Sequence, residues 1–274
     1  MIAANYGLTG GYCHESNVSV QSLHRTGLRS GLRRMRRWLA LQSARLYGRE
    51  IVHFLHVPKT GGTAVAHALS WQRPGTGHHV IFHSHAITLR DIPVGEKFVF
   101  FLRDPAQRFV SAFNSRRNCG RPRYNVPWNE AERSAFARFR SANELALALS
   151  EPGREADARE ALQGIRLVQD SYLDWFDSEA YLSERLSDLL LAGFQESLEL
   201  DFARLCQRLG YPPRTVLPTD PVQAHRGPSG AERELTGQAV ANLRRHYRRD
   251  YEFLDYCKTL QSPARSQGRH LGKC

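Results

Sequence analysis

The chain has 274 residues, of which 41% are hydrophobic, and a formal net charge of +11. That is long enough for one well-filled α/β domain with appendages, and no apolar run approaches the roughly 20 residues that span a bilayer. The five scattered cysteines include no CxxC pair and an odd member, which indicates neither a zinc site nor a disulfide framework.

The charge is uneven along the chain. Residues 1–50 carry eight arginines against Glu15 and Glu50. Residues 1–27 show no periodicity, and residues 1–20 are polar and Gly-rich without a secretory apolar core; the expected compartment is the cytoplasm. Over 28–47, Leu28, Leu32, Met35, Leu39 and Leu46 fall near one helical face with arginines around the rest. Such a helix can lie on an anionic membrane, or dock on the domain with its arginines in water. A nucleic-acid role for this stretch would lack both a recognised module and interleaved aromatics.

The spacing next predicts a strand over 51–57, a tight Pro58-Lys59-Thr60-Gly61-Gly62-Thr63 turn, and a helix over 63–71. Gly61 and Gly62 let the backbone turn sharply and bring N–H groups close to an anion. The helix start adds further N–H groups and the positive end of its dipole. Lys59 supplies a mobile charge, and Thr60 and Thr63 supply hydroxyls. The order is not Walker A, which places its lysine after the glycines. Strands follow over 79–83 and 97–102. The second ends on Arg103, and Asp104-Pro105 is a strong start for a helix over 105–117 that carries Ser111. An Arg fork and a hydroxyl at a strand-to-helix junction suit a phosphate monoester.

Beyond these lie a helical region over about 129–187, a short buried strand over 189–194, a helix over 196–209 stopped by Gly210, a Pro-rich loop over 211–230, and a final helix over 231–256. The tail after Ser262 reads as disordered. Alternating strands and helices imply an α/β fold, a mainly parallel sheet with helices on both faces. The division expected is a basic N-terminal extension at 1–47, a domain at 48–260 and a tail at 261–274.

The segments HVPKTGGT and FFLRDPAQRFVSAF resemble the two nucleotide-binding signatures of the sulfotransferases that use 3′-phosphoadenosine 5′-phosphosulfate, PAPS. The similarity runs from about residue 51 to 257 and is strongest to the branch of carbohydrate O-sulfotransferases that includes the heparan sulfate 2-O type and bacterial relatives. It implies a P-loop-NTPase-like sheet, PAPS as sulfuryl donor, no metal, and a carbohydrate or glycolipid acceptor. By position it implies that Lys59, Thr60, Gly61, Gly62 and Thr63 hold the 5′-phosphosulfate, and that Arg103 and Ser111 hold the 3′-phosphate.

Sulfuryl transfer needs in-line positioning and charge stabilisation on the leaving oxygen, for which Lys59 is the natural candidate. The acceptor hydroxyl needs a base. His83 and His85, two apart at a strand end, are expected to face one side, and an H-x-H at the equivalent place is similar to the base pair of the 2-O branch. His56 is a reserve candidate. A metal reading of His78, His79, His83 and His85 lacks a Cys or carboxylate partner. Glu196 at a helix start, Arg116, Arg117 and the 119–128 loop, and His225-Arg226-Gly227 are further candidates for the site. The rival class, a P-loop-type kinase, needs a Mg²⁺-holding acid after a strand, and Asp104 is the acid at such a place.

Overall fold

The computed structural model describes residues 42, 44–70, 77–220 and 234–261. Four parallel strands form one sheet: β1 (Glu50–Leu55), β2 (His78–Phe82), β3 (Lys97–Leu102) and β4 (Leu189–Phe194), in the order β2-β1-β3-β4. The helices described are α1 (Gly62–Ser70), α2 (Pro105–Arg117), α3 (Glu130–Arg138), α4 (Ala142–Ala148) and α5 (Glu155–Gly164). They continue with α6 (Leu173–Phe176), α7 (Glu179–Glu184), α8 (Leu198–Leu209), α9 (Gly237–His246) and α10 (Arg248–Thr259).

The strands are continuous apolar runs because both faces of a parallel sheet are covered. Alternation along β3 sends Phe98, Phe100 and Leu102 into a core with Trp175, Phe176, Leu182, Phe253 and Leu254, from α6, α7 and α10. Val99 and Phe101 point the other way, to Val65 and Leu69 of α1 and Phe202 and Leu205 of α8. The sheet thus carries helices on both faces, as the sequence pattern implies. A third apolar cluster joins α2 to α3, α4, α5 and α9 around Phe109, Phe113, Leu145, Leu162 and Leu243.

The differences from the sequence expectation are local. β1 ends at Leu55, which leaves His56 and Val57 in the loop. β2 ends at Phe82, so His83 and His85 lie beyond the strand rather than at its last positions. The helical stretch over 129–187 is five short helices. Ser141 and Ser178 each accept the N–H three residues on, opening α4 and α7, and Asp177 turns the chain with φ 68°. The final helix is two, divided at Tyr247, whose buried hydroxyl donates to the Val168 carbonyl at 2.8 Å. Gly210 stops α8 in the left-handed conformation, as read. The amphipathic segment at 28–47, apart from its last few residues, and the tail after 261 lie outside the described residues. No helix among those described is long and apolar enough to cross a membrane.

Candidate active site

In an open parallel sheet, ligands bind at the carboxyl ends of the strands. β1 and β3 are neighbours, with Leu55 level with Phe100, so the loops that leave them meet. The chain after β2 and the turn after β4 border the same edge.

The loop after β1 is held from within. The buried Thr60 hydroxyl donates to the Val57 carbonyl at 2.9 Å, and the Ala64 N–H donates to the Gly61 carbonyl at 3.0 Å as α1 begins. Gly61 has φ +88°, and a side chain there would be strained as well as pressed on Leu198, 3.1 Å from a Cβ. Gly62 is a close approach of another kind, since a Cβ would lie 2.6 Å from His56 Cδ2. Lys59 also sits in the left-handed region, at φ +66°. A lysine tolerates that conformation only where its surroundings impose it, and such residues cluster at functional sites. Thr63 stands partly exposed in the first turn of α1.

The junction after β3 meets this loop directly, because Arg103 Nη1 donates to the Lys59 carbonyl at 3.5 Å. The peptide groups around Arg103 are fixed. The buried Tyr172 hydroxyl accepts the Arg103 N–H at 3.2 Å and donates to the Arg103 carbonyl. Glu196 Oε1 accepts the Asp104 N–H at 2.7 Å. Asp104 caps α2 by accepting the Gln107 N–H at 3.0 Å, and it also accepts the Tyr251 hydroxyl at 3.2 Å. The acid that a kinase reading would need for a cation is therefore engaged as a helix cap. Ser111 lies partly buried on α2, about 9 Å along the axis from its start.

His53 of β1, His56 in the loop after it, and His83 and His85 beyond β2 form two pairs rather than one base pair. His83 Nε2 lies 2.8 Å from His53 Nδ1, and His53 Nε2 lies 2.6 Å from Glu96 Oε2. His85 packs its ring on His56, with centroids 4.2 Å apart, and its Nδ1 bonds the His56 carbonyl at 2.8 Å. A carbonyl accepts only, so Nδ1 carries the proton and Nε2 is the basic atom of His85. Burial lowers the His85 pKa below the usual histidine value, and the nearby Lys59 charge adds to this against the His56 hydrogen bond. His85 is thus kept neutral beside the lysine.

The other candidates are used elsewhere. Arg116 is buried and bonds Glu132 at 2.6 and 2.9 Å. Arg117 donates to the Arg140 carbonyl. His78 pairs with Glu50 at 3.3 Å, and no group of three or more metal-ligating residues occurs among the described residues. His225-Arg226-Gly227 lies outside the described residues. The sequence reading missed Tyr172, which fixes the Arg103 backbone, and His53 and Glu96, which form a chain of contacts to His83. A histidine in the middle of an otherwise apolar strand was the signal for His53.

Comparison with known proteins gives one family. A model described as Sulfotransferase family matches residues 46–257, well over half the chain. Neither the curated proteins nor the solved structures compared gave a match. The matched span begins just before β1, takes in all four strands with both signature loops, and ends in α10; the chain belongs to the sulfotransferase family.

Proposed function

We propose that this sulfotransferase takes its sulfuryl group from PAPS and delivers it to a hydroxyl on a carbohydrate or glycolipid. The observation that carries the reading is the contact of Arg103 Nη1 with the Lys59 carbonyl, 3.5 Å. It sets the two strand-to-helix junctions side by side at the carboxyl edge of the sheet, which supports a reading with one junction for each phosphate-bearing end of the nucleotide. Lys59, Thr60, Gly61, Gly62 and Thr63 hold the 5′-phosphosulfate at the N-terminus of α1. Thr60 does so through its backbone, since its hydroxyl proton is engaged with Val57. Arg103 and Ser111 hold the 3′-phosphate. The domain that does this is the 48–260 unit.

The donor supplies a sulfuryl already activated by its bond to phosphate. The acceptor oxygen bonds to sulfur in line as the sulfur–oxygen bond to the phosphate breaks. The Lys59 ammonium neutralises the charge that grows on the departing oxygen. His85 Nε2 accepts the hydroxyl proton, a role that needs a neutral imidazole at the operating pH. Between His83 and His85, the second is favoured because its Nδ1 is committed to the His56 carbonyl, which leaves Nε2 as the basic atom, and because the Lys59 charge acts on it.

Incubation with labelled PAPS and a panel of glycans and lipids, scored by mass, tests the proposal. The expected result is one added sulfuryl on a hydroxylated glycan or glycolipid. No transfer to any acceptor, with no binding of the desulfated nucleotide, would overturn it.

A further inference from the structure

His53 stands mid-strand in β1 and is 5% exposed. A buried imidazole needs partners at its nitrogens, and His53 has one on each side, His83 at 2.8 Å and Glu96 at 2.6 Å. The two rings are parallel to within 4°. Glu96 is held in turn by Arg45, whose Nη2 donates to Oε1 at 2.7 Å. The result is a chain, Arg45–Glu96–His53–His83, running from an exposed arginine to the start of the H-x-H segment.

The proton count along this chain has one solution with neutral rings. Partial burial of Glu96 opposes its ionisation, but hydrogen bonds from Arg45 and His53 outweigh it and keep the carboxyl below its usual range. A carboxylate has no proton to give, so the one in the 2.6 Å contact sits on His53 Nε2. Nδ1 of a neutral His53 is then an acceptor, and the proton in the 2.8 Å contact belongs to His83 Nε2. Glu96 therefore dictates the tautomer of a ring it does not touch. The backbone follows the same path, since the His83 N–H donates to the Phe54 carbonyl and His85 bonds the His56 carbonyl. Two residues of the H-x-H segment are pinned to β1 and to the Lys59 loop that follows it.

We propose that Glu96 and His53 are positioning residues for sulfuryl transfer, which fix His83 as its Nε2–H tautomer and thereby hold the segment that places His85 beside Lys59. This rests on the reading of His85 as the base. A side chain that sets an imidazole's tautomer from behind can matter as much as a group at the reacting atoms.

Side-chain ¹H–¹⁵N correlation spectra of the full chain read the tautomers directly. Both His53 and His83 are expected as Nε2–H in the unsubstituted protein, a result that needs no variant to fold and no turnover. Glu96→Gln presents an amide that can donate to His53 Nε2, so both rings should switch to Nδ1–H. It should lower kcat at least about tenfold with binding of the desulfated nucleotide unchanged, and Glu96→Asp should restore part of the loss. His83 found as Nδ1–H in the unsubstituted protein would overturn the proposal, as would Glu96→Gln with switched tautomers and unaltered kcat. If His85→Ala keeps full turnover, the base reading fails while the tautomer result stands.

Discussion

Tyr172 grips the Arg103 residue at both ends of its backbone, its hydroxyl accepting the N–H at 3.2 Å and donating to the carbonyl. The tyrosine is wholly buried, and burial raises its phenol pKa, so the donor proton stays in place at any working pH. The clamp fixes the backbone from which the Arg103 side chain leaves the strand end. Tyr172→Phe keeps the ring against Phe253 and removes only the hydroxyl. It should cost about 1–3 kcal/mol in denaturant unfolding, the penalty for stranding buried polar groups. Affinity for the desulfated nucleotide should fall with it, as calorimetry would show. An unchanged unfolding midpoint would mean that the clamp does not hold the turn.

Lys59 and Arg103 touch, yet the proposed chemistry separates them. Lys59 holds φ +66°, a conformation that costs an L-residue roughly 1–2 kcal/mol. Lys59→Ala keeps that cost and removes the ammonium. Turnover should drop by about 10²–10³, with binding of the desulfated nucleotide largely retained. Lys59→Gly should lose turnover equally while unfolding at higher denaturant, because glycine is at ease there. Arg103→Ala should instead weaken nucleotide binding. Near-normal turnover in Lys59→Ala would remove the lysine from the leaving oxygen.

Much of this arrangement was legible in the residues. Parallel strands buried on both faces give unbroken apolar runs, so β1, β3 and β4 could be placed within a few residues, and Asp104-Pro105 marked the start of α2. The histidine pairing was not legible. It depends on the sheet register, in which His53 of β1 lies level with Ile81 of β2, and on Glu96, distant in sequence, entering from the approach to β3. Inside 129–187 the Pro152-Gly153 pair marks the break before α5, which the single helical reading passed over; the breaks before α4 and α7 carry no such pair. They follow from local caps such as Ser141 and Ser178, whose effect outweighs average propensity.

Glu132 carries a prediction about the loop beyond α2. It is fully buried, and it accepts Arg116 Nε at 2.6 Å and Arg166 Nη2 at 2.7 Å. Arg116 also reaches the Val126 and Pro127 carbonyls, so the pair forms the floor of the 119–128 loop. Burial opposes the Glu132 charge, but the hydrogen bonds from Arg116, Arg166 and the Asn129 N–H prevail and lower the carboxyl pKa to about 2. The unfolded carboxyl, near 4.5, binds protons first as pH falls. The stability from this carboxylate is therefore complete at neutral pH and is lost from about 4.5 down to about 2. Glu132→Ala leaves Arg116 charged in the interior and should cost about 3–5 kcal/mol at neutral pH. Thermal unfolding of Glu132→Ala should show a much weaker fall between those pH values; an equal fall would place the acid sensitivity elsewhere.

Acid should act on His85 in one direction, against both turnover and stability. Burial is the main cause of its lowered pKa, with the Lys59 charge adding to it against the hydrogen bond to the His56 carbonyl. A base must be unprotonated, so kcat should be flat through neutral pH and decline only below the ordinary histidine value of 6.5. For stability the sign is the same. The unfolded ring, with the ordinary value, takes its proton before the folded ring does, so stability rises with pH across this interval and is lost as pH falls through it. Removing the Lys59 charge should move the His85 titration upward toward 6.5, though not all the way, since burial remains. NMR titration of the His85 ring in Lys59→Ala measures this without any need for turnover. A titration that stays put would mean that the lysine ammonium and the imidazole do not share one site, and the proposed division between leaving-oxygen cation and hydroxyl base would fail with it.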